Sequence, residues 1–157
     1  MRLWLKIVIC VLVVEGLGVA SGYFTVSSIK TWYSALEKPV GTPPNWVFGP
    51  VWTALYAMMG VSLALVWHRA SPGQLKASGI AWFVMQMILN VAWTPVFFGA
   101  HQIHAALFVI AGLWIAIAVT IFYFQKLDRV AALLLVPYLL WVSYATYLNA
   151  GYMMLNK

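Results

Sequence analysis

Five apolar stretches, each long enough to cross a bilayer and each bounded by charged or strongly polar residues, constrain this chain more than any short motif in it. The first runs from Ile7 to about Ser28, the second from Trp46 to Trp67 with His68-Arg69 at its end, and the third from Ala77 to Ala100. The fourth follows His104 and stops before Lys126, and the fifth runs from Val130 to Asn156. A helix needs about 20 residues to cross about 30 Å of hydrocarbon, and all five meet that length. The chain is 64% hydrophobic and 8% charged, where a soluble domain carries about 25% charged residues, so its solvent is lipid. A barrel would need strands of about 10 residues in strict alternation, and no such pattern is present. The expectation is an all-α integral membrane bundle of five transmembrane helices. Only the loop from Ile29 to Asn45 is long, and no linker, repeat or low-complexity tract interrupts the chain, so residues 1–157 read as a single transmembrane domain.

Orientation follows from Lys and Arg near the span ends. Arg2, Lys6, Arg69, Lys76, Lys126 and Arg129 fall on one side, against Lys30, Lys38 and Lys157 on the other. The positive-inside rule then puts the amino terminus in the cytoplasm, with the long loop and the carboxyl terminus outside. Topology accounts for the net charge of +6 better than nucleic acid does, since there is no basic stripe or exposed aromatic face for such a partner. Arg2 and Lys6 before an apolar run ending at Val19-Ala20-Ser21 also resemble a signal peptide. Glu15 would interrupt its apolar core, and a retained first helix is the preferred reading. The lone Cys10 has no partner for an internal disulfide and says nothing of redox compartment.

Polar residues inside spans cost free energy unless they face protein, water or ligand. In the third span Trp82, Gln86, Asn90 and Thr94 recur every four residues with Trp93 beside them, so one helix face carries all of them. Interhelical hydrogen bonding explains Gln86 on its own, while Asn90 beside Trp93 is equally a ligand contact. The second span repeats the spacing with Phe48, Trp52, Tyr56 and Gly60, and the fifth with Trp141, Ala145, Leu148 and Tyr152. Pro137 leaves the carbonyl of Leu133 without its helical donor, which predicts a bend below Trp141. Of nine tryptophans, Trp4, Trp32, Trp46 and Trp67 lie at span ends, where an interfacial belt accounts for them. Trp52, Trp93, Trp114 and Trp141 lie deeper, where an indole N–H needs a partner. Alternating span direction puts Trp52, Asn90, Trp93, Trp141 and Ala145 in the middle or outer half of the bilayer, converging on one cavity beneath the long loop. Pro39, Pro43 and Pro44 stiffen that loop, and Trp32 and Tyr33 give it an aromatic underside, so it reads as a lid.

The loop carries W-Y-x-x-L-x-K-P from Trp32 to Pro39, then P-P-x-W-x-F-G-P-V-W-T-x-L-Y from Pro43 to Tyr56, with Met59-Gly60 beyond. Leu89-Asn90-x-x-Trp93-Thr94-Pro95-x-Phe97-Phe98-Gly99 follows, then Val136-Pro137-Tyr138-Leu139-x-Trp141 and Ala145-Thr146-x-Leu148-Asn149. Taken in order over nearly the whole chain, these blocks resemble the TspO/MBR family, the tryptophan-rich sensory proteins of bacteria and their mitochondrial relatives. The resemblance implies a five-helix membrane protein, often a homodimer, with no obligatory cofactor. It implies binding of tetrapyrroles such as protoporphyrin IX, of sterols and of benzodiazepine-site ligands below the first loop. By motif the ligand-binding residues would be Tyr33, Trp52, Asn90, Trp93, Trp141 and Ala145. Some bacterial members degrade protoporphyrin IX in light, and the tryptophans implicated correspond by motif to Trp52 and Trp141, which makes these the catalytic candidates. No general acid, nucleophile or metal triad accompanies them, so binding is the firmer expectation than turnover.

Other signals are weaker. The sterol pattern L/V-x₁₋₅-Y-x₁₋₅-K/R is met by Leu148, Tyr152 and Lys157, and its reverse by Lys30, Tyr33 and Leu36, which shows how easily both arise. His101 and His104 lack a third ligand and read as interfacial polarity rather than a metal site. His104 also stands where the mitochondrial relatives carry a pocket tryptophan. Glu15, near mid-depth, reads as a snorkelling acid, a partner of Lys6 or Arg129, or part of proton-linked movement. For assembly, Ala77 and Ala81 on the third span offer a small-residue face, with Gly18 and Gly22 on the first as the next candidate. The competing functional class is a transporter of porphyrins or similar amphiphiles, for which inverted repeats and broken helices in matching halves would be expected and are not seen.

Overall fold

Hydrocarbon offers a backbone no hydrogen-bonding partner, so a chain with these spans has to satisfy its amides within its own helices. The computed structural model describes residues 1–157, and of 114 backbone–backbone hydrogen bonds 99 lie within helices. Helix α1 spans Leu3–Ile29, and a single turn, α2, spans Trp32–Ala35 in the long loop. Helix α3 spans Asn45–Arg69, and α4 spans Gln74–Thr94 and continues as a π-helical turn over Pro95–Gly99. Helix α5 spans Ile103–Leu127, α6 spans Arg129–Leu134, and α7 spans Val136–Leu155. There are no strands, and five units are long and apolar enough to cross a membrane: α1, α3, α4 with its π turn, α5, and α6 with α7. The first span starts four residues earlier than its apolar run, at Leu3 rather than Ile7, because Lys6 does not interrupt a helix whose end lies at the interface.

The bundle is set by a few close approaches. A Cβ on Gly60 would stand 2.6 Å from Cα and 2.8 Å from N of Val11, and one on Gly18 would run into the ring of Tyr56. α1 and α3 therefore meet backbone to backbone, as small residues permit. Gly18 is thus spent within the chain, which removes it from the faces open to a second copy, whereas Ala77 and Ala81 are exposed. Pro95 has no N–H for the carbonyl of Val91, and the Ser21 hydroxyl of α1 donates to that carbonyl at 2.9 Å. Two turns on, the Ser28 hydroxyl donates to the carbonyl of Phe98. The fifth span breaks at Leu135, two residues before Pro137, into a short α6 followed by α7.

At the end of the bundle opposite the long loop, the Asp128 side chain accepts from the Ala131 N–H at 2.9 Å and from Arg69 Nη1 at 3.1 Å. It caps α6 and ties it to the end of α3. Burial disfavours its carboxylate, but the Ala131 amide and the Arg69 guanidinium outweigh burial and hold the carboxyl below its ordinary value. A depressed folded-state value means that the stabilisation is complete above the ordinary carboxyl range and is lost as pH falls through the depressed value. Acidification from about pH 6 to about pH 2.5 should therefore lower the melting temperature in detergent less for Asp128→Ala than for the parent protein. Parallel curves for the two proteins would show that this cap carries no stability.

Candidate ligand-binding site

Above the packed contacts of α1 with α3, the helices part around a cavity of about 390 Å³ beneath the long loop. That volume lies within the range of small-molecule sites, roughly 300–1,000 Å³. Phe48, Trp52 and Tyr56 reach it from α3, Asn90, Trp93 and Thr94 from α4, and Trp141, Ala145, Leu148 and Tyr152 from α7. Tyr33 reaches it from α2. The structure thus brings Tyr33, Trp52, Asn90, Trp93, Trp141 and Ala145 to one cavity. On α3, α4 and α7, helical spacing explains why: side chains three and four residues apart fall on the same side of a helix.

The floor is a chain of hydrogen bonds across three spans. The Tyr56 hydroxyl donates to Asn90 Oδ1, Asn90 Nδ2 donates to the Tyr138 hydroxyl, and that hydroxyl donates to Gln86 Oε1, each at 2.7 Å. Gln86 is therefore an interhelical contact, and its Nε2 has no partner. Higher up, Trp93 Nε1 donates to Asn149 Oδ1 at 3.0 Å, and Asn149 Nδ2 donates to the Ile103 carbonyl at 3.0 Å. Of the four deep tryptophans, Trp93 and Trp114 find partners, the latter in Ser143 Oγ at 2.8 Å. Trp52 and Trp141 do not, contrary to expectation, and both border the cavity. Aromatic packing positions them: Trp52 stacks on Tyr56 at 5.3 Å between centroids, and Trp141 meets Phe48 edge-on at 6.2 Å and Tyr144 at 5.7 Å.

The loop above is fastened almost wholly to α7. Tyr152 donates to the Tyr33 hydroxyl at 2.6 Å, Tyr147 donates to the Val40 carbonyl at 2.9 Å, and Tyr144 donates to the Gly41 carbonyl. Gly41 holds φ of 85°, which a side chain would resist. Asn156 adds a pair of bonds, accepting from the Glu37 N–H at 2.8 Å and donating to its carbonyl at 3.0 Å. Burial first, and then the bond with Tyr152, push the Tyr33 phenol far above the ordinary tyrosine value, so it stays neutral. Trp32 points elsewhere and stacks on His101, with centroids 4.2 Å apart. His104 is exposed and does not reach the cavity. In the sterol pattern, Leu148 and Tyr152 are buried in the cavity wall while Lys157 lies beyond the end of α7, so the three do not form a lipid-facing stripe.

Sequence reasoning missed Glu15, Gly22 and Asn149 in this wall, and Tyr138 beneath it. Tyr138 falls four residues before Val142 and three before Trp141, a signal that was legible but not used. Tyr138→Phe removes one hydroxyl and strands an amide group of Asn90 and one of Gln86. It should lower stability by about 1–3 kcal/mol in denaturation from mixed micelles. An unaltered unfolding midpoint would mean that water replaces the hydroxyl and that the floor is wet.

A sequence model of the TspO/MBR family matches residues 10–155. The chain is 41% identical to the Tryptophan-rich protein TspO of Archaeoglobus fulgidus over 154 residues, which cover 97% of both chains. It is 38% identical to Protein CrtK of Rhodobacter capsulatus over 131 residues, 83% of this chain and 82% of that one. It is 41% identical to the Translocator protein of Homo sapiens over 119 residues, 75% of this chain and 70% of that one.

Proposed function

The chain belongs to the TspO/MBR family of multi-pass membrane proteins, and from that premise we propose that it binds a planar amphiphile, a tetrapyrrole of the protoporphyrin IX kind, in its intramembrane cavity. The output of binding is sensory or regulatory, in keeping with relatives named for sensing and translocation. One observation carries this reading: Trp52 and Trp141, from different spans, border the same cavity with their indoles engaged by no other side chain's hydrogen bond. Flat aromatic ligands stack on indole faces, and the cavity wall is largely apolar. The amino terminus lies in the cytoplasm and the lid outside, as the distribution of Lys and Arg favours, and the membrane is that of a bacterial cell, as the bacterial relatives favour. The exposed Ala77 and Ala81 of α4 give the face on which a second copy would pack.

Titration with protoporphyrin IX in detergent should quench tryptophan emission with one site per chain. Replacing Trp52, Trp93 and Trp141 by Phe together should weaken binding by about tenfold or more, since each stacked pair contributes about 0.5–1.5 kcal/mol. Undiminished affinity in the triple variant would place the ligand elsewhere.

A second output, light-driven degradation of the bound porphyrin with dioxygen as oxidant, is favoured by the same two indoles. They are electron-rich groups held at the cavity wall by Tyr56 and Phe48. On illumination in air, Trp141→Phe should then slow bleaching of bound porphyrin by a larger factor than it weakens binding. Equal bleaching rates at full occupancy would leave binding as the whole function.

A further inference from the structure

One residue of the cavity wall differs from the rest. Glu15 stands near the midpoint of α1, and it is the single acid within the five spans, since Glu37 lies in the lid and Asp128 between α5 and α6. A carboxyl at that depth is expensive in hydrocarbon and is ordinarily paired. Here it is not. The one ion pair of the chain joins Arg69 to Asp128, and no hydrogen bond reaches the Glu15 side chain. Lys6, on the same helix, lies over the ring of Trp67 instead, 4.7 Å from its centroid.

The packing of α1 dictates where the carboxyl goes. Glu15 precedes Gly18 by three residues, so the two share a helix face, and Gly18 is pressed against Tyr56 of α3. One turn further on, nothing stands within 4 Å of where a Cβ on Gly22 would be, so α1 and α3 separate there and the cavity fills the gap. Glu15 borders that gap together with Tyr56. The other ionisable groups of the wall are engaged: Tyr56 with Asn90, and Tyr33 with Tyr152. The carboxyl is the one ionisable side chain of the cavity left to a ligand.

We propose that Glu15 is the specificity-determining residue of the cavity, selecting planar ligands that carry N–H donors, a protonated amine above all. The inference rests on the cavity being the ligand site, as argued above, and adds the chemistry that the site prefers. Stacking on Trp52 and Trp141 is indifferent to such donors, so it sets affinity for a flat body. The carboxyl, accepting from an N–H, sets which flat body is held. Charge-assisted hydrogen bonds of this kind are roughly twice as strong as neutral ones.

Two probes of one shape test this: 1-pyrenemethylamine, protonated at neutral pH, and 1-pyrenemethanol, which is neutral. Binding to the full-length protein in lipid nanodiscs is read by energy transfer from tryptophan to pyrene. The parent protein should bind the amine about tenfold or more tightly than the alcohol, and Glu15→Gln should bring the amine down to the affinity of the alcohol. Equal affinities in the parent, with both pyrenes displaced by protoporphyrin IX, would overturn the inference and leave the cavity reading standing. The same preference in Glu15→Gln as in the parent would overturn it as well. Binding of neither pyrene by the parent would overturn the cavity reading and this inference with it. Should Glu15→Gln bind neither, Glu15→Asp decides. Drawing the carboxyl back by one methylene should reduce the preference, and an undiminished preference overturns the assignment.

Discussion

The hydrogen-bonded chain from Tyr56 through Asn90 and Tyr138 to Gln86 holds α3, α4 and α7 in one arrangement, and the cavity exists because that arrangement is fixed. In hydrocarbon the alternative to each of these bonds is an unsatisfied polar group, so each contact specifies position even where it adds only about 0.6 kcal/mol to stability. Four polar side chains on three helices can meet in this order in few registers. Once they do, Trp52, Trp93 and Trp141 are carried to the same level of the bundle, and the aromatic wall follows from the polar floor.

α1 plays a different part. It touches α3 through Gly18 and Gly60, where bulk is forbidden, and it repairs α4 through Ser21 and Ser28, whose hydroxyls take up carbonyls near Pro95. The π turn after Pro95 is thereby tolerated at membrane depth, since a freed carbonyl there needs a donor from some neighbour. A neighbouring face of α1 turns Glu15 and Gly22 toward the cavity. The first helix is thus one wall of the site.

The lid shows how a loop can be stiff without being part of the core. Its prolines restrict the backbone, but its position is set by Tyr144, Tyr147 and Tyr152 of α7 and by Asn156 just beyond it, which bond to loop carbonyls, an amide and a phenol. The fifth span therefore provides both the floor, through Tyr138, and the fastening of the roof. This coupling makes α7 the element through which occupancy of the cavity would reach the lid.

The sequence by itself determined the five spans, the break near Pro137, the long loop and the convergence of Trp52, Asn90, Trp93, Trp141 and Ala145, because length against bilayer thickness and four-residue spacing on a helix are local properties; Tyr33 was reached only through the resemblance of its motif. Local reasoning could also say that Trp93 and Trp114 needed partners, but not that Asn149 and Ser143 would be those partners. Nor could it say that Trp52 and Trp141 would go without. Those outcomes depend on the rotation of each helix about its axis and on its height against its neighbours, which are settled by contacts between residues far apart in the chain. Gly60 against Val11, Ser21 against the carbonyl of Val91, and Glu15 at the edge of the cavity are of this kind. Only the tertiary structure decided them, because a helix presents all its faces equally until close packing chooses which one is turned inward.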